Sequence, residues 1–165
     1  MTAGYGSWPR PAAAMARAID AAVSAAQAGD AAAFADATDG LRRADPEQLA
    51  VVLGTVTRDL LERSHPDGLG TDDAEHILRS TTGRAAGWYG QLDASALILA
   101  LTGALGISPD PDPDTEAPPP PDGAAIVAHG LLLIADQLRV LAQPVPPVLD
   151  AALRELMRAQ TVELP

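Results

Sequence analysis

Two histidines and several carboxylates are concentrated between residues 62 and 76, where they could bind a metal ion. Glu62 and His65 are three residues apart at the predicted end of one helix, and Asp72 and His76 are four apart on the next. Because that spacing places side chains on one helix face, the two pairs could converge on a divalent cation. The same acids also suit turns and helix starts, where carboxylates are common without a ligand. The cluster therefore predicts a metal-binding protein or a metal-dependent enzyme as one alternative.

The third histidine, His129, precedes Gly130 in the most apolar segment of the chain. A buried histidine of this kind usually hydrogen-bonds to a backbone or side-chain partner. The alternative is that His129 and Gly130 line a cavity that binds a small apolar ligand. That cavity would lie between two predicted helices, 94–106 and 123–143.

Other catalytic chemistry finds little support in the residue types. The chain has no Cys and no Lys, and it contains no Gly-x-Ser-x-Gly motif, phosphate-binding loop or dinucleotide-binding fingerprint. No catalytic residue and no organic cofactor is therefore predicted, and a divalent metal is the one cofactor alternative. The sequence favours a protein that is not an enzyme.

Composition favours a single all-α domain. The chain has 165 residues, of which 47% are hydrophobic but only 3% aromatic. This length is enough for one domain with a genuine core, and that core must be aliphatic and rich in Ala. Ala is the strongest helix former, whereas the β-branched residues are too sparse for several strands. We expect about seven helices in one irregular or orthogonal bundle.

Hydrophobic periodicity and capping residues give the helix positions. The predicted helices cover residues 11–28, 31–44, 46–64, 71 or 72 to about 90, 94–106, 123–143 and 148–160. The sixth is apolar on all sides until Asp136, so it must be buried either at the centre of the domain or against another subunit. This leaves a homodimer as an alternative.

Two segments lie outside the predicted helices. Residues 1–10 form an N-terminal arm whose Tyr5 and Trp8 should dock on the domain itself or on a second copy. Residues 11–165 form the helical domain, and within it residues 108–122 form a long Pro/Asp-rich loop. Such a loop favours extended, polyproline-like backbone.

Charge restricts the partners. The formal net charge is −11, and no Lys or Arg occurs between Arg84 and Arg139. A chain with no basic face is unsuited to nucleic acid or to an anionic membrane surface. We expect a non-catalytic interaction or regulatory protein that uses an acidic helical surface to bind a protein partner or itself. No signal-peptide pattern begins the chain, so a cytoplasmic location is expected.

Overall fold

The computed structural model describes residues 4–108, 112–116 and 118–162. Within these ranges the chain forms a short 3-10 helix, Tyr5–Ser7, and seven α-helices, with no strand. The α-helices are α1 (Arg10–Ala28), α2 (Ala31–Leu41), α3 (Pro46–Ser64), α4 (Thr71–Ala85), α5 (Ala94–Ala104), α6 (Gly123–Val140) and α7 (Val145–Val162). The predicted all-α bundle of about seven helices is confirmed.

Aspartates start four of these helices. The side chain of each N-cap residue accepts a hydrogen bond from a backbone N–H in the first turn, which satisfies a donor that has no partner inside the helix. The four pairs are Asp30 with Ala33, Asp45 with Gln48, Asp93 with Ala96 and Asp122 with Ala125, at 2.7 to 3.2 Å. Several acids of this acidic chain therefore serve the fold directly.

Several helix ends differ from the predicted positions. Four helices stop a few residues earlier than expected, at Leu41, Ala85, Ala104 and Val140. The last helix starts at Val145 rather than at 148, so Pro146 and Pro147 lie in its first turn. Proline is tolerated there because the first N–H groups of a helix have no intrahelical partner.

Helix α6 is the centre of the domain. It packs against α1, α3, α4 and α5, and every residue from Ala128 to Leu138 is buried. The apolar faces of the neighbouring helices cover it, so its all-apolar character is explained within one chain. Among the described residues, α6 is also the one helix long and apolar enough, by composition, to cross a membrane, and most of it is buried inside the protein.

The N-terminal arm lies on its own domain. Tyr5 is buried and its hydroxyl donates to Asp20 of α1, while the indole N–H of Trp8 donates to Asp150 of α7. Burial and the neighbouring carboxylate of Asp20 both raise the pKa of Tyr5. The arm thus joins α1 to α7.

The predicted Pro/Asp-rich loop is described only in part. Residues 109–111 and 117 lie outside the described residues, as do residues 1–3 of the arm and 163–165. In the described part of the loop, Asp112 accepts hydrogen bonds from the backbone N–H of Asp114 and the hydroxyl of Thr115. These hydrogen bonds lower the pKa of Asp112.

The end of α6 contains a strained residue whose replacement should stabilise the protein. Ala142 has a positive φ of 51°, in the left-handed region, and the N–H of Gln143 closes the helix on the carbonyl of Leu138. Glycine reaches this conformation without the steric cost that alanine carries. We therefore expect Ala142→Gly to raise the free energy of unfolding by about 0.5–1 kcal/mol in urea denaturation. The matched variant Ala151→Gly, at an exposed position inside α7, should lower it by about 1 kcal/mol, and a loss at both positions would contradict this assignment.

Candidate functional site

The four predicted metal ligands lie on α3, on α4 and at the end of α3. Glu62, Asp72 and His76 are exposed, on α3 and α4, while His65 is the C-cap of α3. Among the residues that the structure describes, no group of three or more His, Asp or Glu side chains is placed to hold a metal ion. The metal site therefore stays a prediction from spacing.

The residues around His65 instead form a hydrogen-bonded end to α3. Ser64 Oγ lies 2.8 Å from His65 Nδ1, and the same hydroxyl lies within hydrogen-bond distance of the carbonyl of Leu61 and of Gln137 Oε1. A hydroxyl has one proton to donate, and several acceptors compete for it here. This network links the end of α3 to α6.

His129 has both ring nitrogens engaged. Its Nδ1–H donates to the carbonyl of Ala125 at 2.7 Å, and its Nε2 accepts from the backbone N–H of Asp93 at 2.9 Å. This pairing corresponds to a neutral imidazole and satisfies a fully buried side chain, as the sequence led us to expect. Gly130 lies against Ala100 of α5, where a Cβ would stand 3.9 Å from the alanine methyl group. The pair thus fastens α5 to α6, and its predicted role in holding an apolar ligand stays a prediction.

A cleft with different chemistry lies between α1, α4 and α6. Its volume is about 170 Å³. Its lining residues are Ala26, Gln27 and Ala28 from α1, Gly29 from the C-cap of α1, Thr81, Arg84 and Ala85 from α4, Trp88 from the following turn, and Leu132, Ala135, Asp136 and Arg139 from α6. The α4 and α6 residues recur at steps of three and four, so each set occupies one helix face.

Asp136 brings a carboxylate into the core beside this cleft. It is the only buried acidic residue in the described part of the chain, and its side chain is 2% exposed. The Nε of Arg84 lies 2.5 Å from Oδ1, for which it is the sole partner, and the hydroxyl of Thr81 donates to Oδ2 at 3.3 Å. Removing a carboxylate from water costs several kcal/mol unless a partner compensates. Both partners come from α4, which is thereby fixed against α6.

The opposite wall of the cleft is the C-terminal end of α1. Gln27 donates through Nε2 to the carbonyl of Ala135, and Nη2 of Arg139 donates to the carbonyl of Gln27 at 2.6 Å. Gly29 ends the helix with a φ of 68°, a conformation that favours glycine. Arg139, which is exposed to solvent, therefore caps α1 and also lines the cleft.

The aromatic side chain of Trp88 forms a third side of the cleft, and other aromatic residues pack near it. Trp88 lies over Gly29 and packs edge-to-face against Phe34, with ring centroids 5.3 Å apart. Tyr89 packs against the same phenylalanine at 5.4 Å and against His129 at 5.7 Å, and burial raises the pKa of its hydroxyl. The indole is thus a rigid, half-buried surface on one side of the cleft.

The cleft has a positive charge in a strongly acidic protein. Arg84, Arg139 and one carboxylate, that of Asp136, line the cleft, and Arg84 is paired with this carboxylate. Arg139 takes part in no ion pair within the described ranges, 4–108, 112–116 and 118–162. Arg139 is exposed to solvent, and its hydrogen-bond partner is the neutral carbonyl of Gln27 at the weakly negative end of the α1 dipole, so no carboxylate in the described part of the chain compensates its charge.

The sequence analysis did not predict this cleft, although two features of the sequence indicate it. Arg84 and Arg139, the two arginines at the ends of the long segment without positive charge, both line this cleft. Asp136 is the first charge to interrupt the apolar sixth helix, and a charge in such a position requires a partner. Together they could have suggested an ion pair between α4 and α6, but not its location beside the end of α1.

Comparison with known proteins gives no relative from which to infer a role. The chain matches no protein-family model, no curated protein and no solved structure. The chemistry of the cleft is therefore the basis for the function proposed below.

The ion pair beside the cleft should contribute to stability more than a surface pair does. Replacing Arg84 with Met leaves Asp136 buried without a counter-charge, and the guanidinium it loses is itself 46% exposed. We expect a loss of about 2 kcal/mol, between the values for exposed and fully buried pairs. Urea denaturation of Arg154→Met, which breaks the exposed pair with Asp150, should show a change within about 0.5 kcal/mol. Equal effects at the two sites would refute the assignment, and Arg84→Met with Asp136→Leu should recover most of the loss.

His129 should be essential for stability. The similarly bulky His129→Leu leaves the N–H of Asp93 and the carbonyl of Ala125 without their partner. Two partly buried polar groups left in this way should lower the free energy of unfolding by about 1–3 kcal/mol. The exposed His76→Leu should change it by less than about 0.5 kcal/mol. If thermal unfolding detects no difference between the two variants, the structural role of His129 is wrong.

Proposed function

We propose that this protein is a non-catalytic binding protein that holds a small anion in the cleft between α1, α4 and α6. The observation that carries the proposal is Arg139, a charged group at the cleft edge whose ion-pairing capacity is unused in the described part of the chain. An anion that pairs with a guanidinium gains charge-assisted hydrogen bonds, which are about twice as strong as neutral ones. A regulatory role fits such a site, because ligand binding would join three helices.

The groups in the cleft suit recognition better than acid–base chemistry. A guanidinium stays protonated in proteins, so Arg84 and Arg139 donate hydrogen bonds without exchanging their protons. The carboxylate of Asp136 is occupied by Arg84 and Thr81, and its burial keeps it from acting as a freely accessible base. These features favour binding over catalysis at this position.

A protein partner remains a second proposal. Every acidic residue that the structure describes, apart from Asp136, is partly or fully exposed, so the charge excess lies at the surface. Several large apolar side chains are also exposed there, including Val51, Ile98 and Ile107. An acidic surface with exposed apolar groups favours a protein partner, which could be a second copy of this chain. The cytoplasmic location and the lack of nucleic-acid or membrane binding also stay predictions.

The anion site is tested by thermal unfolding in matched salts. Sodium acetate, benzoate and phosphate would each be compared with sodium chloride at equal ionic strength. A ligand at ten times its Kd stabilises the folded state by about 1.4 kcal/mol, which corresponds to about 4 °C in a protein of this size. We expect at least one of the three anions to produce this shift.

Two variants make that test specific to the cleft. Arg139→Gln removes the charge and should reduce the affinity for the anion by about tenfold or more, because a hydrogen bond to a charged group contributes about 1.5–3 kcal/mol. Arg17→Gln makes the same charge change on α1, about 15 Å along the helix from Gln27, and should leave the shift intact. The proposal fails if no anion raises the melting temperature, or if Arg139→Gln retains the whole shift.

A further inference from the structure

We infer that the ligand of the cleft is a monocarboxylate with a compact apolar body about the size of one ring. This inference rests on the proposed anion-binding function and narrows it to one chemical class. Three properties of the cleft carry it: its volume, its apolar wall and the sign and number of its charges.

The volume of the cleft suits a small molecule. It measures about 170 Å³ and is partly open to solvent, whereas the engineered protein cavity of roughly 150 Å³ that is known to hold benzene is enclosed. A ligand with one ring and one acidic group fills such a space. A nucleotide or a folded peptide segment would extend well beyond it.

The apolar wall favours an organic body over an inorganic ion. The half-buried indole of Trp88 lines the cleft and packs on Phe34, and Ala85, Leu132 and Ala135 also line it but are each at most 5% exposed. Because Trp88 is held by an edge-to-face contact with Phe34 and lies over Gly29, its position is fixed before a ligand binds. Covering this surface with an apolar group gains free energy that a hydrated ion such as phosphate cannot supply.

The charges favour a single negative charge on the ligand. One guanidinium, that of Arg139, is available, because Arg84 is already paired with Asp136. The carboxylate of Asp136 and the C-terminal end of the α1 dipole both oppose a second negative charge nearby. A dianion would meet this repulsion without a second counter-charge, whereas a monoanion would match the single unpaired positive charge of Arg139.

The guanidinium of Arg139 also suits the shape of a carboxylate. It presents up to five N–H donors in a planar fork, and one nitrogen is used on the carbonyl of Gln27. The other donors can pair with both oxygens of a planar carboxylate, a geometry that an ammonium group does not provide. Arg139 therefore acts as the binding residue, and Arg84 is a positioning residue that keeps Asp136 neutralised.

The test compares three probes in a variant that reports on the cleft alone. The chain has two tryptophans, and Trp8→Phe leaves Trp88 as the sole indole fluorophore. Titration with sodium benzoate, with its neutral isostere benzamide and with sodium phosphate would be done at constant ionic strength. We expect benzoate to change the Trp88 emission saturably with a Kd of about 1 mM, and the other two probes to bind about tenfold more weakly or worse. Calorimetry on the unaltered chain repeats the comparison without relying on the variant.

Conservative replacement of Arg139 separates charge from shape. Arg139→Lys keeps the charge but loses the fork, and it should weaken benzoate binding about fivefold, whereas Arg139→Gln should weaken it at least about tenfold. If phosphate binds more tightly than benzoate, the monocarboxylate class is wrong while the anion site stands. If benzamide binds as tightly as benzoate, the ligand needs no charge and both the inference and its charge argument are wrong. If no probe binds by either method, and acetate has no effect on the melting temperature, the anion site itself is overturned.

Discussion

The buried carboxylate of Asp136 is the constraint on which the arrangement of the helices depends. It lies in an otherwise apolar helix at the centre of the domain, and a charge in that position is tolerated only with a counter-charge and hydrogen bonds. Arg84 and Thr81 supply these from α4, so the position of α4 along α6 is set by chemistry that apolar packing alone would not specify. Apolar packing can be satisfied by several combinations of side chains, whereas the pair of Arg84 with Asp136 requires these two residues to lie together.

Other polar residues of α6 also form hydrogen bonds to neighbouring helices. His129 binds the N-terminal end of α5 through Asp93, and Arg139 binds the C-terminal end of α1 through Gln27. Gln137 accepts from Ser64 at the end of α3. Each of these polar contacts joins the central helix to a different neighbour, close to an end of that neighbour in every case. The apolar residues of α6 therefore supply most of the burial, and these polar ones add a specific contact to each of three neighbours.

The sequence predicts the fold well because residues close to each helix end determine where that helix begins or ends. Aspartates before helical segments and glycine at position 29 mark starts and ends that the structure retains, since capping satisfies backbone groups within a few residues of the cap. The candidate site is different, because it depends on three helices that are distant in the chain. Spacing placed Asp72 and His76 on one face of α4, but it could not tell whether the end of α3 would bring Glu62 and His65 to them. The long segment without positive charge indicated the cleft only through the arginines at its two ends, Arg84 and Arg139.

The polar groups of the cleft stabilise the fold, so a binding role rests on the charge and hydrogen-bonding capacity that helix packing does not use. The pair of Arg84 with Asp136 is fully accounted for by the burial of a carboxylate. The contact of Arg139 with Gln27 is accounted for only in part, because a neutral donor would satisfy that carbonyl as well. A helix C-terminus carries about half a negative charge, so it compensates no more than part of a full positive one. In a chain with a net charge of −11, a residual positive charge beside a rigid indole and a ring-sized cleft is the feature that helix packing does not require, and a bound monoanion would compensate it.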